Sequence, residues 1–112
     1  MSKKEELLAT VDKKLKTRDF EQELCKAFMH LESAEEVLLF LRDLCTPQEL
    51  NSMTERWKVC QLLAREDLSY RDINQLTSAS LTTIGRVARF IKDESNHGYK
   101  RVLARLDESE KL

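Results

Sequence analysis

The chain has 112 residues and a net charge of −1, with 19 basic against 20 acidic side chains, so bulk charge does not mark it as a nucleic-acid or membrane binder. Two glycines and one proline among many Leu, Glu, Lys and Arg residues point to an all-α protein, and they leave too few glycines for a phosphate-cradling loop or a dinucleotide fingerprint. The length suits a single domain with a modest core, which association of two copies would enlarge.

The first predicted helix, Ser2 to Lys16, carries a narrow apolar stripe of Leu8, Val11 and Leu15 among charges. Such a helix frays alone and needs something to pack on. From Asp19 to Leu31, the residues Phe20, Leu24, Ala27, Phe28 and Leu31 share one face, with Cys25 beside it, as in a core helix. Ser33 and Glu36 have capping-box spacing, and Val37, Leu38, Leu41 and Leu44 make the next helix broadly apolar on one side. Thr46, Pro47 and Glu49 then form a sharp helix start: an N-cap, a proline at the first position and a carboxylate at N3. The helix that follows presents Leu50, Met53, Trp57, Cys60, Leu63 and Ala64 on one face, with Glu55, Lys58 and Arg65 away from it and Arg56 at its edge.

From Leu68 to Lys92 the pattern is that of a helix-turn-helix. Ser69 and Asp72 make a third capping box, and Ile73 and Leu76 lie on one face of a short helix. The run Thr77, Ser78, Ala79, Ser80 interrupts it, because short hydroxyl side chains compete for backbone hydrogen bonds and cap a new start. In the second helix Leu81, Ile84, Ala88 and Ile91 form the inner face, leaving Thr82, Thr83, Arg86, Arg89 and Lys92 outside. Ser80, Thr82 and Thr83 sit where short side chains could approach base edges in a major groove, and the cations could meet phosphates. From Ser80 to Leu106 the basic residues Arg86, Arg89, Lys92, Lys100, Arg101 and Arg105 face only Asp93 and Glu94, so this end is locally basic.

The longest apolar run, Val37 to Leu41, is too short for a secretory segment or a membrane span, which points to a cytoplasmic protein. Cys25, Cys45 and Cys60 are far apart and read as reduced core thiols. His30 and His97 stand alone, so neither a metal site nor a cofactor is expected.

The run CTPQELNSMTERWKVCQLLAREDLSYRDINQLTSASLTTIGR, Cys45 to Arg86, resembles the centre of the bacterial Trp repressor. VARFIKDESNHGYKRVL, Val87 to Leu103, is similar to the YerC/YecD branch of that family, whose recognition helix runs into a G-Y-K/R-x-[VL]-L ending. The resemblance implies one Trp repressor-like domain over 1–112: dimerisation helices in 1–66, the helix-turn-helix in 68–92, and a C-terminal helix and tail in 93–112. It implies an intertwined homodimer whose two reading heads meet double-stranded DNA about 34 to 36 Å apart, one helical turn, on a near-palindromic operator. By position, Tyr70, Arg71 and Asn74, then Leu81, Thr82 and Thr83, match DNA-contacting places. Thr46, Arg56 and Arg86 match places that hold the corepressor. Two neighbours differ: Val87 stands where the family has a small glycine, and Phe90 where a serine helps bind the ammonium group. Both fill space, and Phe90 removes a polar partner, which disfavours L-tryptophan. Either Val87 and Phe90 occupy the slot themselves, or a different, carboxylate-bearing effector uses the arginines. A further alternative is that Arg56 and Arg86 pair with neighbouring carboxylates or with phosphates.

These readings converge on a sequence-specific DNA-binding transcriptional regulator, a repressor rather than an enzyme. The alternative is a helical protein-interaction module that keeps the fold without reading DNA, for which the acidic end Asp107, Glu108, Glu110 speaks.

Overall fold

The computed structural model describes every residue from Met1 to Leu112 and contains helices only. It divides into two compact units, Met1–Leu41 and Arg42–Leu112. None of its helices is long and apolar enough to cross a membrane.

In the first unit, α1 (Lys3–Thr17) starts on Ser2, whose Oγ accepts from the Glu5 amide at 3.1 Å. α2 (Phe20–Phe28) starts on Asp19, whose carboxylate accepts from the Gln22 amide at 3.2 Å, and Arg18 is ion-paired with Glu23 beside it. α2 ends three residues before the predicted Leu31. There the amides of Met29, His30 and Leu31 bond to carbonyls three residues back, at 3.0, 3.1 and 3.1 Å, which tightens the last turn and closes the helix. α3 (Ala34–Leu44) has half of its expected box. Ser33 Oγ accepts from the Glu36 amide (3.2 Å), but the Glu36 carboxylate accepts from the Glu32 amide (2.9 Å) rather than from that of Ser33.

The rings of Phe28 and Phe40 meet edge to face with centroids 5.0 Å apart, yet α1, α2 and α3 bury no side chain fully. Leu7, Leu8, Val11, Leu15, Phe20, Leu24 and Leu39 are all exposed. The stretch expected to be a core helix therefore lacks a core within its own chain, and Cys25, read as a core thiol, is exposed.

The second unit contains α4 (Pro47–Ala64), α5 (Tyr70–Leu76), α6 (Leu81–Lys92), α7 (Gly98–Arg105) and a short 3-10 turn, Glu108–Glu110. The predicted start of α4 is present in full. Thr46 Oγ1 accepts from the Glu49 amide (3.1 Å), and the Glu49 carboxylate accepts from the Thr46 amide (2.8 Å), which holds that carboxyl below its ordinary pKa.

Val59, Cys60, Ile73, Ala79, Ile84 and Val87 form the core, with Trp57, Leu62, Leu63, Leu68, Ile91, Tyr99 and Leu103 packed around it. Burial pushes the Cys60 thiol up to about 11, as suits an inert core cysteine. Val59, outside the predicted face of α4, is fully buried, whereas Met53 and Ala64 on that face are exposed. α7 contributes Tyr99 and Leu103. The Gln61 amide lies between Trp57 Nε1 and the Glu110 carbonyl, 3.2 Å from each, and satisfies both when its oxygen is turned to the indole.

Candidate nucleic-acid interface

α5 and α6 fall at the residues expected for a helix-turn-helix, and both starts are built by side chains. Ser69 Oγ accepts from the Asp72 amide (3.1 Å) while the Asp72 carboxylate accepts from the Ser69 amide (2.9 Å). The Ser69 amide and hydroxyl together hold the Asp72 carboxyl below its ordinary range. In the turn, the Thr77 amide and hydroxyl both donate to the Ile73 carbonyl (3.0 and 2.8 Å), and the Ala79 amide donates to Thr77 Oγ1 (3.1 Å). Asn74 closes it from the other side, its side-chain amide donating to the Ala79 carbonyl at 2.9 Å. Ser80 then caps α6: its Oγ accepts from the Thr83 amide (3.1 Å) and donates to Thr83 Oγ1 (3.2 Å).

α6 is sharply two-faced. Ile84, Val87 and Ala88 are buried, while Thr82, Arg86, Arg89 and Lys92 are exposed and Thr83 is half-buried. Leu81, which helical phase puts on the inner face and the family resemblance at a DNA-contacting place, is 57% exposed. Leu76 of α5, also read as inward, is exposed too. A seven-residue helix has only two turns to cover a core, and Ile73 together with Leu68 before it already fills that space. Tyr70, Arg71 and Asn74 are exposed on α5. The Arg86 guanidinium lies over the Phe90 ring, 4.4 Å from its centroid, and that of Arg89 lies at 5.4 Å. Arg89 is also 3.2 Å from Glu94, an exposed pair that contributes little in salt water.

Local spacing did not reveal one further tie. The Ser78 amide donates to Glu55 Oε1 of α4 at 2.8 Å, across 23 residues of sequence. A glutamate on the polar side of a helix carries no mark of a partner so far along the chain.

A family model described as Trp repressor protein matches residues 20–107. The chain belongs to the Trp repressor family. It is 36% identical over 97 residues to YerC of Bacillus subtilis (strain 168), covering 87% of this chain and 90% of that one. The crystal structure of a TrpR-like protein from Eubacterium eligens ATCC 27750 superposes with a TM-score of 0.70 at 35% identity, covering 82% of this chain and 96% of the other. A second solved structure, from Staphylococcus aureus, has the same TM-score of 0.70 at 35% identity and covers 80% and 89%. The Trp repressor family is one of DNA-binding regulators, and the all-α fold of this chain is that of its TrpR-like structural neighbours.

The positions that the family resemblance assigns to a corepressor lie on α4 and its cap and on α6. Thr46 and Arg56 border a shallow open hollow with Gln48, Glu49, Ser52 and Met53. Thr46 is already engaged as the cap of α4. Arg86 lies on α6 against Phe90, and Phe90 faces an apolar hollow lined by Trp57, Asn96, Gly98, Tyr99 and Val102. Val87 is 1% exposed and belongs to the core, so its isopropyl group fills space that a glycine would leave open.

Proposed function

We propose that this protein is a cytoplasmic, sequence-specific transcriptional regulator that acts as a repressor. In this reading a homodimer occupies a near-palindromic operator, with α5 and α6 of each copy as the reading head. The observation that carries it is the division of α6. Its inner face is sealed by Ile84, Val87 and Ala88, while Leu81 and Thr82 stand out at its capped start and Arg86, Arg89 and Lys92 along its outer face toward the end. Such a helix can place its first residues at base edges and its cations on phosphates. Tyr70 and Arg71, at the start of α5, are placed for the flanking backbone. Asn74 and Ser80 serve the reading head through the turn and the cap, and Thr83 sits beside that cap. The apolar side chains exposed along Met1–Leu41 support a second copy as the partner, since an isolated monomer seldom leaves so much apolar surface in water.

We further infer that the slot is filled from within. Val87 and Phe90 take the space of an effector, and Arg86 stacks on the chain's own aromatic ring. DNA binding then needs no tryptophan and no carboxylate-bearing effector.

Selection of duplexes from a random-sequence pool by the purified protein tests the reading. A two-fold symmetric consensus is expected. Its affinity should fall steeply between about 50 and 200 mM salt, as when about six to ten phosphates per dimer are neutralised. No enrichment at low salt, with or without a metabolite extract, would leave the interaction module as the better account.

A further inference from the structure

The reading head rests on α4 through two kinds of contact. Val59 and Cys60 of α4 meet Ile73, Ile84 and Val87 in an apolar cluster, which attracts without fixing direction. The turn itself, Thr77 to Ser80, is held almost wholly from within the motif, by Ile73, Asn74 and the hydroxyls of Thr77 and Ser80. The exception is the Ser78 amide. It donates to Glu55 Oε1 at 2.8 Å, and the other Glu55 oxygen lies 3.4 Å from Lys58 Nζ on the same helix. The Glu55 side chain is 21% exposed while Ser78 is open to solvent, so this is a charge-assisted bond at the surface.

We propose that Glu55 is a positioning residue for DNA reading: its carboxylate fixes the angle at which the helix-turn-helix sits on α4, and through that angle the separation of the two reading heads in a dimer. This rests on the proposed function and extends it to a residue that does not face DNA. A head held by apolar packing alone can pivot by small amounts at little cost, because such contacts are non-directional. A hydrogen bond from one turn amide to one carboxylate oxygen removes that freedom. The consequence is specific. Loss of the bond relaxes the required spacing between half-sites, while the bases preferred within each half-site, read by α6 itself, stay the same.

The test compares Glu55→Met, which keeps length and apolar bulk but has no comparable acceptor, with Glu55→Gln, whose amide oxygen can accept the same bond. Each is titrated with the selected duplex and with versions one base pair longer and shorter between half-sites. Wild-type protein is expected to discriminate strongly among the three. Glu55→Met should bind the selected duplex about tenfold more weakly, the scale of one lost hydrogen bond to a charged group, and should discriminate less among the spacings. Glu55→Gln should bind only about threefold more weakly, since a neutral acceptor makes a bond about half as strong, and should keep the spacing preference. Amide exchange at Ser78 gives a readout independent of DNA: faster in Glu55→Met, near wild type in Glu55→Gln.

A folded Glu55→Met protein with wild-type affinity, spacing preference and Ser78 exchange overturns the proposal. So does an equal loss on all three duplexes that Glu55→Gln fails to restore, which marks a role in stability alone. If Glu55→Met does not fold, Glu55→Gln decides through its spacing preference and Ser78 exchange: retention of both supports the acceptor role, and loss of either refutes it. Wild-type protein that selects no duplex overturns the DNA-binding reading and this inference with it; selection by wild type with unchanged variants overturns this inference alone.

Discussion

Replacement of Ser80 by alanine separates two roles for a residue at the start of α6. Its hydroxyl accepts from the Thr83 amide at 3.1 Å and donates to Thr83 Oγ1 at 3.2 Å, so both of its hydrogen-bonding functions are directed into α6. Loss of a serine N-cap costs typically about 1 kcal/mol, within a range of about 0.5 to 2. With a urea dependence of about 1 to 3 kcal/mol per molar, a 1 kcal/mol loss lowers the unfolding midpoint by roughly 0.3 to 1 M. The assay is urea unfolding followed by circular dichroism at fixed protein concentration, because dimerisation would make the midpoint concentration-dependent. Ser80→Ala should show this drop, and Ser80→Asn, whose side-chain oxygen can take the same amide, should recover most of it. Both should select the same consensus as wild type, with Ser80→Ala binding it more weakly. An Ser80→Ala protein as stable as wild type, but with altered base preference at one position of each half-site, refutes the capping argument and makes Ser80 a reader.

Four other outcomes follow from the same geometry. Ile84→Ala opens a void where the side chain is fully buried beneath the reading helix, and should cost about 2 to 5 kcal/mol in urea unfolding; a loss under about 1 kcal/mol would mean the core closes around it. Addition of L-tryptophan, followed by calorimetry and by DNA titration, should produce neither binding heat nor a change in affinity, and a clear gain in affinity would contradict the filled slot. The Asp72 carboxyl is depressed in the folded chain by the Ser69 amide and hydroxyl, so its contribution is fully present above the unfolded pKa of about 3.9 and is lost as pH falls through the lower folded value. Asp72→Asn should therefore flatten the acid limb of stability against pH, and an unchanged limb counts against the box. Finally, the Cys60 thiol, raised to about 11 by burial, should resist a disulfide reagent at neutral pH until urea is added, and rapid reaction of Cys60 in the folded protein would contradict its place in the core.

The parts of this structure legible in the sequence are those that short-range chemistry decides. The Thr46–Glu49 and Ser69–Asp72 boxes were readable because a hydroxyl and a carboxylate three residues apart have few other uses at a helix start. The burial of Ile84 and Ala88 followed from helical spacing. Where spacing alone was used, errors came at the edges. Leu81 fits the inner stripe of α6 by phase, but it lies in the first turn, beyond the reach of the core, and remains exposed. Asn74 and Glu55 show a second limit: the family position suggested that Asn74 could face a partner, and only the folded turn reveals its bond to Ala79 and that of Glu55 to Ser78.

The deepest limit lies in Met1–Leu41. An apolar stripe states that a face is to be buried, but it does not state in what. Leu8, Val11, Leu15, Phe20 and Leu24 carry the periodicity of packed helices and yet are exposed in the single chain. A fully buried leucine or phenylalanine side chain contributes about 1.5 to 3 kcal/mol relative to an exposed one, so leaving such a row in water forgoes stabilisation comparable to the whole stability of a small domain. That imbalance is removed when a second copy covers the row. The same stripe that one chain leaves bare is then what brings two reading heads together, so dimerisation and two-fold DNA reading would have a single physical origin.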